Sequence, residues 1–176
     1  FPVLLKLHPH LAKEMISYRI DRLENARRRA YVYGYGGAMF PWESDHQGEE
    51  STPTFALTGP LEHHITADVA IAAWQYFEEM TDTVWLREEG FPLMRECAEF
   101  WLSRADINDD GSFSIRNVVG ADEYAIGVDD NAYTNGAVIR ALELTSKAAE
   151  ACGVVQDYRW KDMASRLRIH RSSSGV

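Results

Sequence analysis

The apolar positions of this chain recur mostly at intervals of three and four, the spacing of one face of an α-helix. Leu11, Met15, Ile16, Ile20 and Leu23 follow Pro9, a residue suited to a first helical turn. They predict a first helix over about residues 9–30. Ile65, Val69, Ala73, Tyr76 and Met80 predict a second that begins near Ile65. Thr81-Asp82-Thr83 interrupts the pattern, and a third stripe follows at Met94, Cys97, Ala98, Trp101, Leu102 and Ala105. A fourth helix is predicted from about Tyr133 to Cys152, stopped by Gly153. A fifth, over about Tyr158–Ile169, is rich in charge. Ser112–Val118 alternates apolar and polar residues and predicts a short strand. Residues 171–176 read as a loop.

Two connections are long, about 31–64 and 106–130. Loops of that length in a compact domain are usually functional or disordered. The first holds Tyr31, Tyr33, Tyr35, Phe40, Trp42 and Phe55, which argues for packing and for ligand contact. Helical hairpins whose long loops gather on one side predict an all-α fold, an array or a barrel of helices with a site at one end.

Composition changes this picture only at its edges. The chain has 176 residues, 45% hydrophobic and 26% charged, enough for one globular unit with a sizeable core. Its 27 Asp and Glu outnumber 18 Lys and Arg, a net charge of −9. That excess disfavours nucleic acid and anionic membrane surfaces as partners. No apolar run approaches a membrane span. Cys97 and Cys152 both fall in helical patterns and are expected to be buried thiols.

Four segments carry candidate chemistry. Trp42-Glu43 places an indole, which can cover the apolar face of a sugar, beside a carboxylate that can accept from sugar hydroxyls. The bland alternative is a packed turn. In Glu62-His63-His64, adjacent histidines point about 100° apart on a helix and chelate poorly, so one His is expected to face the site as a donor. No metal is expected. Asp106 to Gly111 resembles half a calcium loop, but Asn117 stands where a bidentate Glu is required, and a tight turn is the simpler reading. Gly120-Ala121-Asp122-Glu123-Tyr124, followed by Asp129, Asp130 and Asn131, is an acidic loop leading into a helix. Glycosidic cleavage needs a carboxylic acid whose pKa is raised by burial and like charge, and Glu123 is the candidate. A solvated loop that caps the fourth helix through Asp129, Asp130 or Asn131 is an equal alternative.

The strings Gly-Ala-Met-Phe-Pro-Trp-Glu-Ser, Gly48-Glu49-Glu50, Thr52-Pro53 and Glu62-His63-His64-Ile65-Thr66-Ala67-Asp68 resemble family 65 of the glycoside hydrolases. So does Gly-Ala-Asp-Glu-Tyr…Val-Asp-Asp-Asn-Ala-Tyr-Thr-Asn. The resemblance spans Phe1 to about Ile169 and implies part of an (α/α)6 barrel over about residues 1–170. It implies Glu123 as general acid, Trp42 and Glu43 as glucose contacts, and His64 as a site-lining residue. Asp122, Tyr124, Asp130 and Asn131 fall in the surrounding loop as sugar contacts or their supports. It also implies a small carbohydrate as partner and no organic cofactor, with inorganic phosphate as co-substrate if the parent is a phosphorylase. Ala121 and Ala125 stand where the family's phosphorylases usually carry Pro and His, which tilts the expectation towards hydrolysis. A sugar-binding protein without catalysis is the rival from another class, and a ligand-free helical interaction module is a third. A partial barrel is also expected to expose stripes such as Trp101 and Leu102 and to associate with itself.

Overall fold

The computed structural model describes residues 1–170; the expected loop at 171–176 lies outside them. Nine α-helical segments among these residues run α1 (Pro2–Leu7), α2 (Pro9–Asp21), α3 (Leu23–Val32), α4 (Thr58–Leu61), α5 (Ile65–Met80), α6 (Thr83–Trp85), α7 (Phe91–Arg104), α8 (Ala132–Ala151) and α9 (Tyr158–Arg166). A π-helical turn, Leu86–Gly90, joins α6 to α7. Pro92 has no amide hydrogen for a regular turn, and at the widened junction Phe91 N–H reaches back to Leu86 O instead. A two-residue antiparallel hairpin, β1 (Asp106–Ile107) with β2 (Phe113–Ser114), is the only sheet among the described residues.

Helix α5 is central. It packs against α7 and α8, while α9 covers α8 and α2 lies on the other side of α5. The core joins Leu93, Met94, Phe100 and Trp101 of α7 to Leu142 and Leu144 of α8. Ala67, Ala70, Ala73, Ala141 and Ala148 are fully buried, small enough for close helix approach. Both cysteines are free and buried, as their helical setting predicted. Trp101 is buried completely, which corrects its expected exposure: the turn that carries it faces the centre of the packing.

The first predicted helix is two, α2 and α3, because Arg22 breaks it at φ −112°, ψ 17°; α1 precedes it, across His8. The Arg22 side chain folds over the Tyr18 ring and donates to Tyr18 O and His46 O, so it closes the turn locally. Within α2, Ile16 of the expected stripe faces inward with Ala12, while Leu11 and Met15, expected beside it, are exposed. The helices over 65–80, 91–104 and 132–151 match their periodicity.

The long first loop is pinned to the helices. Met39 N–H donates to Ala26 O, Ala38 N–H to Glu96 O and Phe40 N–H to Thr66 Oγ1. Gly37, at φ +67°, lies so close to α7 that a Cβ would stand 2.3 Å from Glu96 O and from Phe100 N. Only glycine fits there.

Candidate active site

The start of α5 separates two adjacent histidines. His63 is buried, with Nε2 2.8 Å from Pro60 O and Nδ1 accepting from Arg104 Nε at 3.2 Å. Burial, with Arg104 next to it, pushes its pKa down to about 4. It is a neutral core histidine. His64 turns the other way. Its Nδ1 is 2.8 Å from Asp68 Oδ2 and its Nε2 is 2.8 Å from Glu62 Oε1. Burial acts against its charge, but the bonds to Asp68 and Glu62 outweigh that and hold its pKa above the usual histidine value. The ring also meets Trp42 edge-on at a centroid distance of 5.8 Å and Tyr133 at 4.9 Å. Asp68 in turn raises the Tyr133 hydroxyl pKa.

Trp42 and Glu43 are held by a carboxylate that sequence reasoning quoted but gave no role. Glu50 accepts from Trp42 N–H and Glu43 N–H, both at 3.0 Å, and from Thr52 Oγ1 at 2.6 Å, while Arg29 pairs with it at 2.9 Å. Trp42 is half-buried beside His64, and Glu43 is exposed.

The acidic loop stands over the same region. Val118 and Val128 pair at its base, with N–O distances of 3.0 and 2.9 Å. Val119 N–H donates to Leu61 O, which ties the stem to the residue before Glu62. Gly120 lies against Asn131: a Cβ there would meet the Asn131 amide at 2.4 Å. Asp122, Glu123 and Tyr124 sit at the exposed tip, Tyr124 at 97% exposure, and Asp122 accepts from Tyr124 N–H. With Phe55 and Leu57 they line a cleft of about 670 Å³. Trp42 and His64 lie outside that cleft's lining. The bond from Val119 N–H to Leu61 O, next to Glu62, is the contact that joins the loop to the His64 region.

One expectation changes here. The burial expected at Glu123 is found at Glu62, whose carboxyl is 2% exposed and raised above the usual range chiefly by burial. The tip carries Glu123 away from the packed helices, which is why the burial falls on its neighbour. Asp130 is buried, and its carboxylate accepts from Ser114 Oγ, Ile115 N–H and Asn135 Nδ2. Asn131 caps α8 by accepting from Thr134 N–H. Both hold the loop's C-terminal stem, and Asp129 does likewise by accepting from Asn117 N–H. The Asp106–Gly111 segment is a turn, with Asn108 N–H to Ser112 O and Gly111 N–H to Asn108 O. No group of three or more metal-ligating side chains occurs among the described residues.

Glu62, Asp68 and Tyr133 were not singled out from the sequence. Glu62 and Asp68 stood only within the strings that carry the resemblance, and Tyr133 at the start of a helix; only the fold turns all three towards His64.

Residues 1–172 match the central catalytic domain of glycosyl hydrolase family 65. The chain belongs to that family. Its family 65 relatives include a kojibiose hydrolase of Flavobacterium johnsoniae, 53% identical over 176 residues, which cover all of this chain and 26% of that protein. A kojibiose phosphorylase of Thermoanaerobacter brockii is 41% identical over 145 residues, 76% of this chain and 19% of that one. A solved structure from the human microbiome, provisionally described as a kojibiose phosphorylase, superposes with a TM-score of 0.80 at 25% identity. It covers 93% of this chain and 26% of its own. The helices therefore form part of an (α/α)6 barrel. The chain spans about a quarter of the length of the family 65 relatives it matches.

Proposed function

We infer that the protein containing this chain hydrolyses an α-glucoside with inversion, with Glu123 as general acid. The observation that carries the reading is the position of Glu123: exposed at a cleft, on a loop whose stem is tied through Val119 to Leu61, next to the Glu62 that bonds His64 beside Trp42. Trp42 covers the apolar face of the glucose. Glu43 accepts from its hydroxyls, and Glu50 fixes the backbone of both. Glu123 donates its proton to the glycosidic oxygen as the C–O bond breaks, and the leaving sugar departs with that proton. Water, deprotonated by a base outside this chain, attacks the anomeric carbon from the opposite face. Phe55 and Tyr124, flanking Glu123 in the cleft, suit the departing sugar.

Kojibiose is the first substrate to test. The similarity to kojibiose hydrolases, 53% and 45% over the full chain, supports water as the acceptor, as do Ala121 and Ala125. The phosphorylase relative supports a second reading, in which inorganic phosphate attacks instead. Neither route calls on an organic cofactor from these residues.

The test is to incubate the full-length protein with kojibiose, with and without phosphate, and to quantify glucose and glucose 1-phosphate. Glucose released equally in both is expected. Phosphate-dependent glucose 1-phosphate overturns hydrolysis in favour of phosphorolysis. Glu123→Gln should lower kcat at least about 100-fold, the scale of lost acid catalysis, with sugar binding largely kept. Near-wild-type turnover by that variant would remove Glu123 from the mechanism.

A further inference from the structure

Two carboxylates meet one imidazole, and their geometry constrains its protons. An ionised carboxylate only accepts, whereas a neutral imidazole has a single N–H to give. With Asp68 on Nδ1 and Glu62 on Nε2, both at 2.8 Å, two ionised carboxylates require both ring nitrogens to donate, which makes the ring an imidazolium whenever both acids are ionised. The groups facing it are Glu62, Asp68 and Tyr133, with Glu123 acting on Glu62; His63 turns away into the core. Glu62 spends Oε1 on the ring, and its buried Oε2 has no partner among the described residues. Asp68 is about one-third exposed.

The same ring touches two aromatic side chains. Trp42 lies 5.8 Å away at an interplanar angle of 70°, and Tyr133 lies 4.9 Å away at 83°. A turn of the imidazole about its χ2 would break at least one carboxylate bond and press its face or edge into one aromatic. Its orientation therefore sets where Trp42 and Tyr133 stand.

We propose that Glu62 and Asp68 are positioning residues which, by gripping His64 through both ring nitrogens, make it a wedge that fixes Trp42 and Tyr133 as the aromatic walls of the sugar site. The proposal rests on Trp42 being the glucose platform. Glu62 and Asp68 act through His64 and need not touch the sugar. A loosened wedge spreads Trp42 over several orientations, and bound glucose pays for its reordering.

The test uses the full-length protein with kojibiose as the probe substrate. Asp68→Ala and Glu62→Ala should each raise KM about tenfold, the scale of one lost charge-assisted hydrogen bond, and change kcat less. Asp68→Asn and Glu62→Gln should recover most of that loss, since an amide oxygen still accepts from the ring. Added to His64→Ala, Asp68→Ala should cost nothing further, because its effect passes through the missing ring. A wild-type KM in Asp68→Ala, or full additivity with His64→Ala, overturns the proposal. Asp68 is the safer site for folding, as its side chain reaches solvent.

A second readout is independent of turnover. Nitrogen-15 imidazole shifts of His64, assigned by their loss in His64→Ala, should show both nitrogens protonated at neutral pH, and one protonated nitrogen in Asp68→Ala. A neutral His64 ring in an active wild-type enzyme sinks the positioning role alone. A wild-type protein that cleaves no α-glucoside sinks the assigned reaction, and the ring shifts then decide the grip by themselves.

Discussion

His63 and His64 are neighbours in the chain and opposites in environment. Burial keeps His63 neutral in the native state down to about pH 4, well below its ordinary value of 6.5. Above pH 6.5 neither the folded nor the unfolded chain protonates it, and its neutral form costs nothing extra. Between pH 6.5 and about 4 the unfolded chain takes up a proton that the native state refuses. Stability therefore falls with pH over that window, by on the order of 3 kcal/mol in total. His63→Gln should flatten the fall of the urea midpoint between those pH values; an unchanged slope would show that another group drives it. His64 has the opposite sign: its raised pKa gives a contribution that is complete below 6.5 and fades as pH rises through the folded value. The sequence revealed the pair, and the angle between adjacent helical residues implied that one would face the site. It did not reveal the carboxylates that grip His64, because an acid near a helix start has an ordinary explanation of its own.

Elements were legible where a face is buried continuously. Periodicity found α5, α7 and α8 because each lies against at least three neighbours. It ran α2 and α3 together, since Arg22 is a sound helix former and the break arises from its contacts with Tyr18 and the His46 carbonyl, both set by the fold. The acidic loop offered two sequence readings, and its residues divide between them: Asp129, Asp130 and Asn131 hold its stem and cap α8, while Asp122, Glu123 and Tyr124 stand free at the tip. Asn131→Ala should lower stability by about 1 kcal/mol through the lost cap, measured as a fall in the unfolding midpoint. Gly37→Ala should cost more, above about 3 kcal/mol, because the methyl would meet the α7 backbone and not a movable side chain. A variant with a wild-type melting temperature would refute that close approach.

At the scale of the molecule, helical class followed from periodicity, but closure into a barrel did not, since a barrel is a relation among more helices than this chain holds. The described residues leave Val3, Leu7, Leu11 and Met15 exposed on α1 and α2, two helices in contact with each other, and apolar side chains gathered in this way favour association. The isolated 176-residue chain should therefore self-associate, read as an elution volume that shifts with concentration despite the net charge of −9. Leu7→Lys with Leu11→Lys should shift it towards monomer. The stripe predicted from the sequence for that role, Trp101 and Leu102, belongs to the interior side of α7, where Trp101 is fully buried.

The pairing of Val118 with Val128 closes the acidic loop at its neck, and the tip beyond it leaves the helices almost untouched. Such a loop behaves as a cassette. Its tip can be rewritten or exchanged as a unit without disturbing the scaffold, so the residues that flank Glu123 are free to diversify at a pace the helices beneath them cannot follow.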